Sequence, residues 1–161
     1  MQIPKEQIMP NQQFSVLMAE VLKTGKAFRF QASGSSMNPF IKDGDILTLV
    51  AVSHRPIRMG NVLAFYHPKN VKLTIHRFVT RKQKTFLMKP DNAMSADGWI
   101  NQDEVIGMVQ VIERVGNKIR FGLGWEKWLI AHLSRWNILM PIIQVLWRIF
   151  PSWLKHRIKG Q

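Results

Sequence analysis

Three serines, one strand histidine and two loop aspartates are the residues of this chain whose types and spacing could support acyl transfer. Ser33, Ser35 and Ser36 lie with Gly34 in "SGSSMNPF". A serine hydroxyl attacks a peptide carbonyl only when a base takes its proton and backbone donors hold the oxyanion. Small neighbours let a substrate backbone approach and leave amide N–H groups open for that task. Alone, a Ser-rich stretch before a strand reads as a turn, and Asp43-Gly44-Asp45 leads the chain onward into "ILTLV". The candidate base is His76 in "LTIHRFV", which alternation puts on one face with Thr74 and Phe78, opposite Ile75 and Val79. Asp91 and Asp97 follow in "KPDNAMSADGW". Either could orient an imidazole and stabilise its charged form. Lys69 and Lys72 offer a rival Ser-Lys arrangement, but a lysine base must be desolvated, and a turn containing Pro68 and Asn70 is wet. His76 is therefore the favoured base.

No cysteine is present, which excludes a disulfide framework, thiolate chemistry and Cys-ligated zinc. The pairs His54/His67 and Asp43/Asp45 lack ligand spacing, so no metal and no other cofactor is expected.

The elements that must position these residues follow from hydrophobic periodicity. Phe14, Leu17, Met18, Val21 and Leu22 mark one apolar face of a helix over Phe14–Thr24, with Gly25 as its stop. From Ala27 to about Val115 the pattern changes to six strand segments: "AFRFQA", "DILTLVAV", "NVLAFYH", "KLTIHRFVT", "TFLMK" and "EVIGMVQVIERV". Turn signals such as Met59-Gly60-Asn61 and Pro68-Lys69-Asn70 separate them, and no helix intervenes. The expected fold is mainly β: a small, coiled, antiparallel, barrel-like domain with an N-terminal helix. With 161 residues the chain can bury one core and carry an appendage, so the expected division is 1–121 and 122–161.

The segment from Gly122 holds five of the six tryptophans. Apolar residues from Leu129 to Phe150 recur at helical spacing, interrupted by Arg135, Pro141, Gln144 and Arg148. A spanning helix needs roughly 20 mostly apolar residues, and the purest window, Ile138 to Trp147, is shorter. The expectation is an amphipathic helical appendage lying in a membrane interface, with Trp at headgroup level and basic residues toward anionic lipid. A single span over Trp136 to Leu154 and ordinary packing on the β domain are the alternatives. The net charge of +13 also calls for an anionic partner. The polar N-terminus, broken by Pro4 and Pro10, reads as neither export signal nor span. The localisation expected is therefore peripheral or monotopic, on the cytoplasmic side.

Taken in order, Gly34-Ser35-Ser36-Met37-Asn38-Pro39, Asp43-Gly44-Asp45, Gly60-Asn61-Val62, His76-Arg77, Lys89-Pro90-Asp91-Asn92 and Val105-Ile106-Gly107 resemble the successive motifs of the signal peptidase I superfamily. That superfamily includes the self-cleaving LexA-like repressors. The resemblance spans about Phe28 to Val115. It implies a serine peptidase on an all-β coiled fold whose nucleophile directly precedes a Met, hence Ser36. His76 stands where the bacterial enzymes and the repressors have Lys, which implies the His-base branch, and Asp97 falls on that branch's Asp position. Asp91 matches the aspartate of the preceding motif and is the second choice; Lys72 is the alternative base. The Ser36 N–H, with Ser35, would hold the oxyanion, and Met37 would line the substrate cleft, with Phe28 and Phe30 as further candidates. Pro90 and Asn61 depart from the usual Gly and Asp.

The expected activity is cleavage of a leader or signal-type peptide by a membrane-associated serine endopeptidase. Two rivals are an inactive peptide- or membrane-binding scaffold and a LexA-like regulator peptidase. A DNA-binding role lacks a helix-turn-helix before Ser36, so no nucleic-acid partner is expected.

Overall fold

The computed structural model describes residues 11–53, 56–67 and 72–149. Helix α1 (Asn11–Lys23) opens the fold. Strands β1 (Phe28–Gln31), β2 (Ile46–Val50), β3 (Val62–Tyr66), β4 (Leu73–Lys82), β5 (Thr85–Lys89), β6 (Gly98–Asn101), β7 (Val105–Arg114) and β8 (Asn117–Ile119) follow. Helices α2 (Lys127–Arg135) and α3 (Leu139–Ile149) close the described chain. The architecture is mainly antiparallel β with flanking helices, as the periodicity predicts.

All pairings are antiparallel, in the order β1-β2-β7-β3-β4-β5-β6, with β8 added to the end of β7. The long strand β7 divides its length: Val105–Met108 pairs with β3 and Met108–Glu113 with β2. The terminal strands of the order, β1 and β6, do not pair with each other, so the sheet is open rather than a closed barrel. Two strands lie where no strand was expected. The segment "GWIN" pairs as β6 with β5, and Asn117–Ile119 pairs as β8 with the end of β7.

The sheet buries both faces. On β3, Val62 and Ala64 join a core with Met18 and Leu22 of α1, while Leu63 and Phe65 join a second core with Phe78, Phe86 and Ile100. A strand covered on both sides reads as a continuous apolar run, which is why "VLAFY" does not alternate. Helix α1 seats Phe14, Met18 and Leu22 at four-residue intervals on the first core. Gly107 of β7 permits that approach, since a Cβ there would lie 2.9 Å from a Leu22 methyl.

Residues 122–149 begin against the sheet. Ile130, Ala131 and Ser134 of α2 are buried, and Ile130 and Leu139 form a small third core with Phe40. Gly60 makes room for α2: its φ is +91° and a Cβ would come within 2.5 Å of the Lys127 carbonyl oxygen. Among the described residues, no helix is long and apolar enough to cross a membrane.

Candidate active site

Ser36 sits in a tight loop between β1 and β2. Gly34, with φ +100°, begins the loop, and its N–H donates to Asp43 Oδ1 at 2.8 Å. The Met37 carbonyl accepts N–H donors from Phe40 and Ile41, and the Ser35 carbonyl accepts from Asn38. From the loop after β5, Asn92 donates its N–H to the Ser36 carbonyl at 2.9 Å and its side-chain amide to the Ser35 carbonyl at 3.1 Å. The loop is thus held at both ends while Ser35 and Ser36 stay exposed. Asp45 fixes its exit. That carboxylate is buried, accepts two bonds of 2.8 Å from Arg114, and accepts the Lys42 N–H at 2.7 Å.

His76 is held by β4, opposite Leu63 of β3, with its ring beside Phe65. It is 8% exposed. Its Nε2 lies 3.1 Å from Ser36 Oγ, and its Nδ1 lies 2.5 Å from Asp97 Oδ2. Asp97 immediately precedes β6, and its N–H donates to the Met88 carbonyl, which fixes the loop end beside the histidine. With the ionised Asp97 accepting from Nδ1–H, the network assigns the tautomer whose Nε2 lone pair faces the Ser36 hydroxyl. Such an arrangement of hydroxyl, base and orienting carboxylate can activate a nucleophile.

The other sequence candidates separate cleanly. Asp91 is wholly occupied elsewhere: Arg77 Nε donates to its Oδ1 at 2.8 Å and Arg77 Nη2 to its Oδ2 at 2.7 Å. Arg77 is 0% exposed, and its Nη1 donates to the Gly60 and Gly122 carbonyls at 2.9 and 2.8 Å over the Phe40 ring. Lys72 is exposed and stands four residues up the strand from His76, about 13 Å along an extended chain. Lys69 and His54 lie outside the described residues. Met37 is buried and lines the cleft with Phe30, whereas Phe28 packs against Phe14 behind it.

A cleft of about 560 Å³ opens beside Ser36 and His76. Phe14, Phe30, Ala32, Leu47, Leu73 and Ile75 give it apolar walls. Both long sides are strand edges. Among the described residues β1 pairs only with β2, and β4 pairs with β5 only from Arg77 onward, so Leu73–His76 has a strand partner there on one side alone.

Sequence reasoning placed Lys89, Asp91 and Asn92 in one motif but missed what each does here. Asn92 clamps the serine loop, Asp91 neutralises Arg77, and Lys89 is buried at the end of β5. The signal was present: Arg77 falls on the Ile75/Val79 face of an apolar strand, and a charge there requires a buried partner. Glu126 is another such residue. Burial acts to raise its carboxyl, but N–H donors including Gly122 and Gly124 outweigh this and hold it below the ordinary carboxylate range. Burial, then the nearby Arg58 and Arg77, pushes Lys127 down.

No curated protein matches the chain in sequence. The family model described as Peptidase S24-like matches residues 2–112, a span that contains Ser36, His76 and Asp97. By that match over more than half its length, with an antiparallel β fold of the kind the signal peptidase and LexA-like resemblance implies, the chain belongs to the Peptidase S24-like family.

Proposed function

We propose that this chain is a serine endopeptidase that cleaves an extended leader or signal-type peptide at a membrane surface. The observation that carries the reading is the bridging position of His76, between Ser36 Oγ at 3.1 Å and Asp97 Oδ2 at 2.5 Å. In this reading Nε2 takes the Ser36 proton as Oγ attacks the scissile carbonyl. His76 then returns that proton to the leaving amine, and a water molecule repeats the cycle on the acyl-enzyme. Asp97 holds the ring and stabilises its cationic form. Among the described residues' backbone bonds the Ser36 N–H donates to no carbonyl, which leaves it available to the oxyanion, with Ser35 beside it.

The free edges of β1 and β4 suit a peptide added as a strand between them, its alternate side chains entering the apolar cleft. The membrane part of the reading rests on residues 121–145. Trp125, Trp128, Leu129, Trp136, Ile138 and Val145 are exposed. Residues 127–161 contain six Lys or Arg and no Asp or Glu. An exposed Trp-rich face with uniformly basic charge is complementary to an anionic bilayer, such as the leaflet facing the cytoplasm.

The test is hydrolysis of leader-type peptides by the full chain. Ser36→Ala and His76→Ala should abolish turnover while leaving the fold intact. Residual turnover in either variant equal to the native chain would refute the assignment and favour a peptide-binding scaffold.

A further inference from the structure

Among the described residues, the chemistry above leaves one buried titratable group, Lys89, outside the reaction. Lys89 ends β5 directly opposite Arg77 in the β4–β5 register and is 4% exposed. Its ammonium donates to the Ser134 carbonyl at 2.5 Å and to Asn137 Oδ1. Ser134 is in the last turn of α2, where the negative end of the helix dipole favours a cation. Asn137 has φ +59°, the left-handed conformation that ends helices and that Asn tolerates. Two cations, Arg77 and Lys89, are therefore buried side by side with one carboxylate, Asp91. The remaining acceptors are the carbonyls of Gly60, Gly122 and Ser134 and the Asn137 side-chain oxygen. All but Gly60 belong to the segment that the sequence presents as an appendage.

Lys89 also starts the loop that builds the site. Within its next eight residues Asp91 grips Arg77, Asn92 grips the serine loop, and Asp97 grips His76. Ala93 and Met94 of this loop face Leu139 and Met140 across a narrow crevice.

We infer that Lys89 is a positioning residue for the Ser36–His76–Asp97 centre, and that the α2–α3 corner it grips is a required part of the peptidase rather than a detachable anchor. The inference rests on the peptidase reading. It gives the C-terminal helices two faces with different tasks: the outer one carries the exposed tryptophans, and the inner one sets the start of the catalytic loop.

Two variants of the full chain test it. Lys89→Met removes the charge and keeps the length. Asn137→Gly keeps a residue that tolerates positive φ and removes only the side-chain acceptor. In both, kcat should fall on the order of tenfold to a hundredfold, as expected for small misplacement of reacting groups. KM should hold, because neither residue lines the cleft. In a Ser36→Ala background, the low-field proton resonance of His76 Nδ1–H should broaden or vanish with either variant. That resonance decides the role of Lys89 even if the native chain hydrolyses no peptide, a result that would sink the peptidase reading alone. Native kcat and a sharp resonance in both variants would overturn the inference. So would a fall in kcat no larger than the loss of folded protein.

Discussion

Asp91 and Asp97 are six residues apart and chemically identical, yet the structure gives them opposite perturbations. Asp91 holds a guanidinium with no solvent exposure through two hydrogen bonds. Asp91→Asn preserves its size but removes one charged acceptor and leaves Arg77 uncompensated beside Lys89. Breaking one side of a buried ion pair costs about 3–5 kcal/mol, a large part of the roughly 5–15 kcal/mol that stabilises a domain. In a chain of this length each kcal/mol moves Tm by about 2–4 °C, so the loss should be roughly 6–20 °C. Asp97 is 14% exposed at its side chain and, among the described residues, bonds through that side chain to the imidazole. Asp97→Asn should cost about 1 kcal/mol for one hydrogen bond. Its amide would instead turn a donor toward Nδ1 and force the proton onto Nε2, where it faces Ser36 Oγ. On that ground kcat should fall about 10³–10⁴-fold. Thermal unfolding by circular dichroism, with hydrolysis measured where each variant is still folded, separates the two. Asp91→Asn with a stability loss under about 1 kcal/mol, or Asp97→Asn with native turnover, would refute the reasoning.

Acidification should reduce kcat/KM, because protonated His76 cannot accept from Ser36; a rate indifferent to acid would count against the histidine base. Burial lowers the Lys89 pKa below its ordinary 10.5. As the pH rises through that lowered value toward 10.5, the unfolded chain holds a proton that the folded one has released, so stability should rise relative to Lys89→Met. A Tm difference that stays flat or falls over this window would contradict the shift. Trp128→Ala with Trp136→Ala should weaken binding to vesicles of mixed anionic and zwitterionic lipid by at least about tenfold, since each indole face contributes on the order of 1–3 kcal/mol when removed from water. Native binding by the double variant would remove the proposed lipid face. Tight, salt-sensitive binding to duplex DNA without lipid binding would favour the regulator alternative.

Much of this fold was legible because its signals are local. The alternation in "ILTLV" and the apolar, β-branched run in "LTIHRFVT" mark strands, and the structure places β2 and β4 there. Helix α1 starts three residues before Phe14, outside its apolar face, where periodicity gives no signal. Strands β6 and β8 were not legible. Each is three or four residues long, begins beside turn formers, and exists because a longer neighbour offers hydrogen bonds. The serine loop and His76 could be picked out by residue type. The resemblance ranked Asp97 before Asp91, but the residue types alone left both open; the physical reason Asp91 is engaged elsewhere, its bond to Arg77, is a contact between residues 14 apart. The role of Lys89 was hidden for the same reason, since its partners lie 45 and 48 positions away. The helical spacing from Leu129 onward marked an amphipathic segment, but not that Ser134 and Asn137 would turn inward to a lysine.

The most direct measurement is covalent labelling of the full chain with a fluorophosphonate, read by peptide mass. The account predicts a single adduct on Ser36, retained in Ser35→Ala and lost in His76→Ala. An adduct on Ser33 or Ser35, or labelling of His76→Ala at the native rate, would contradict it.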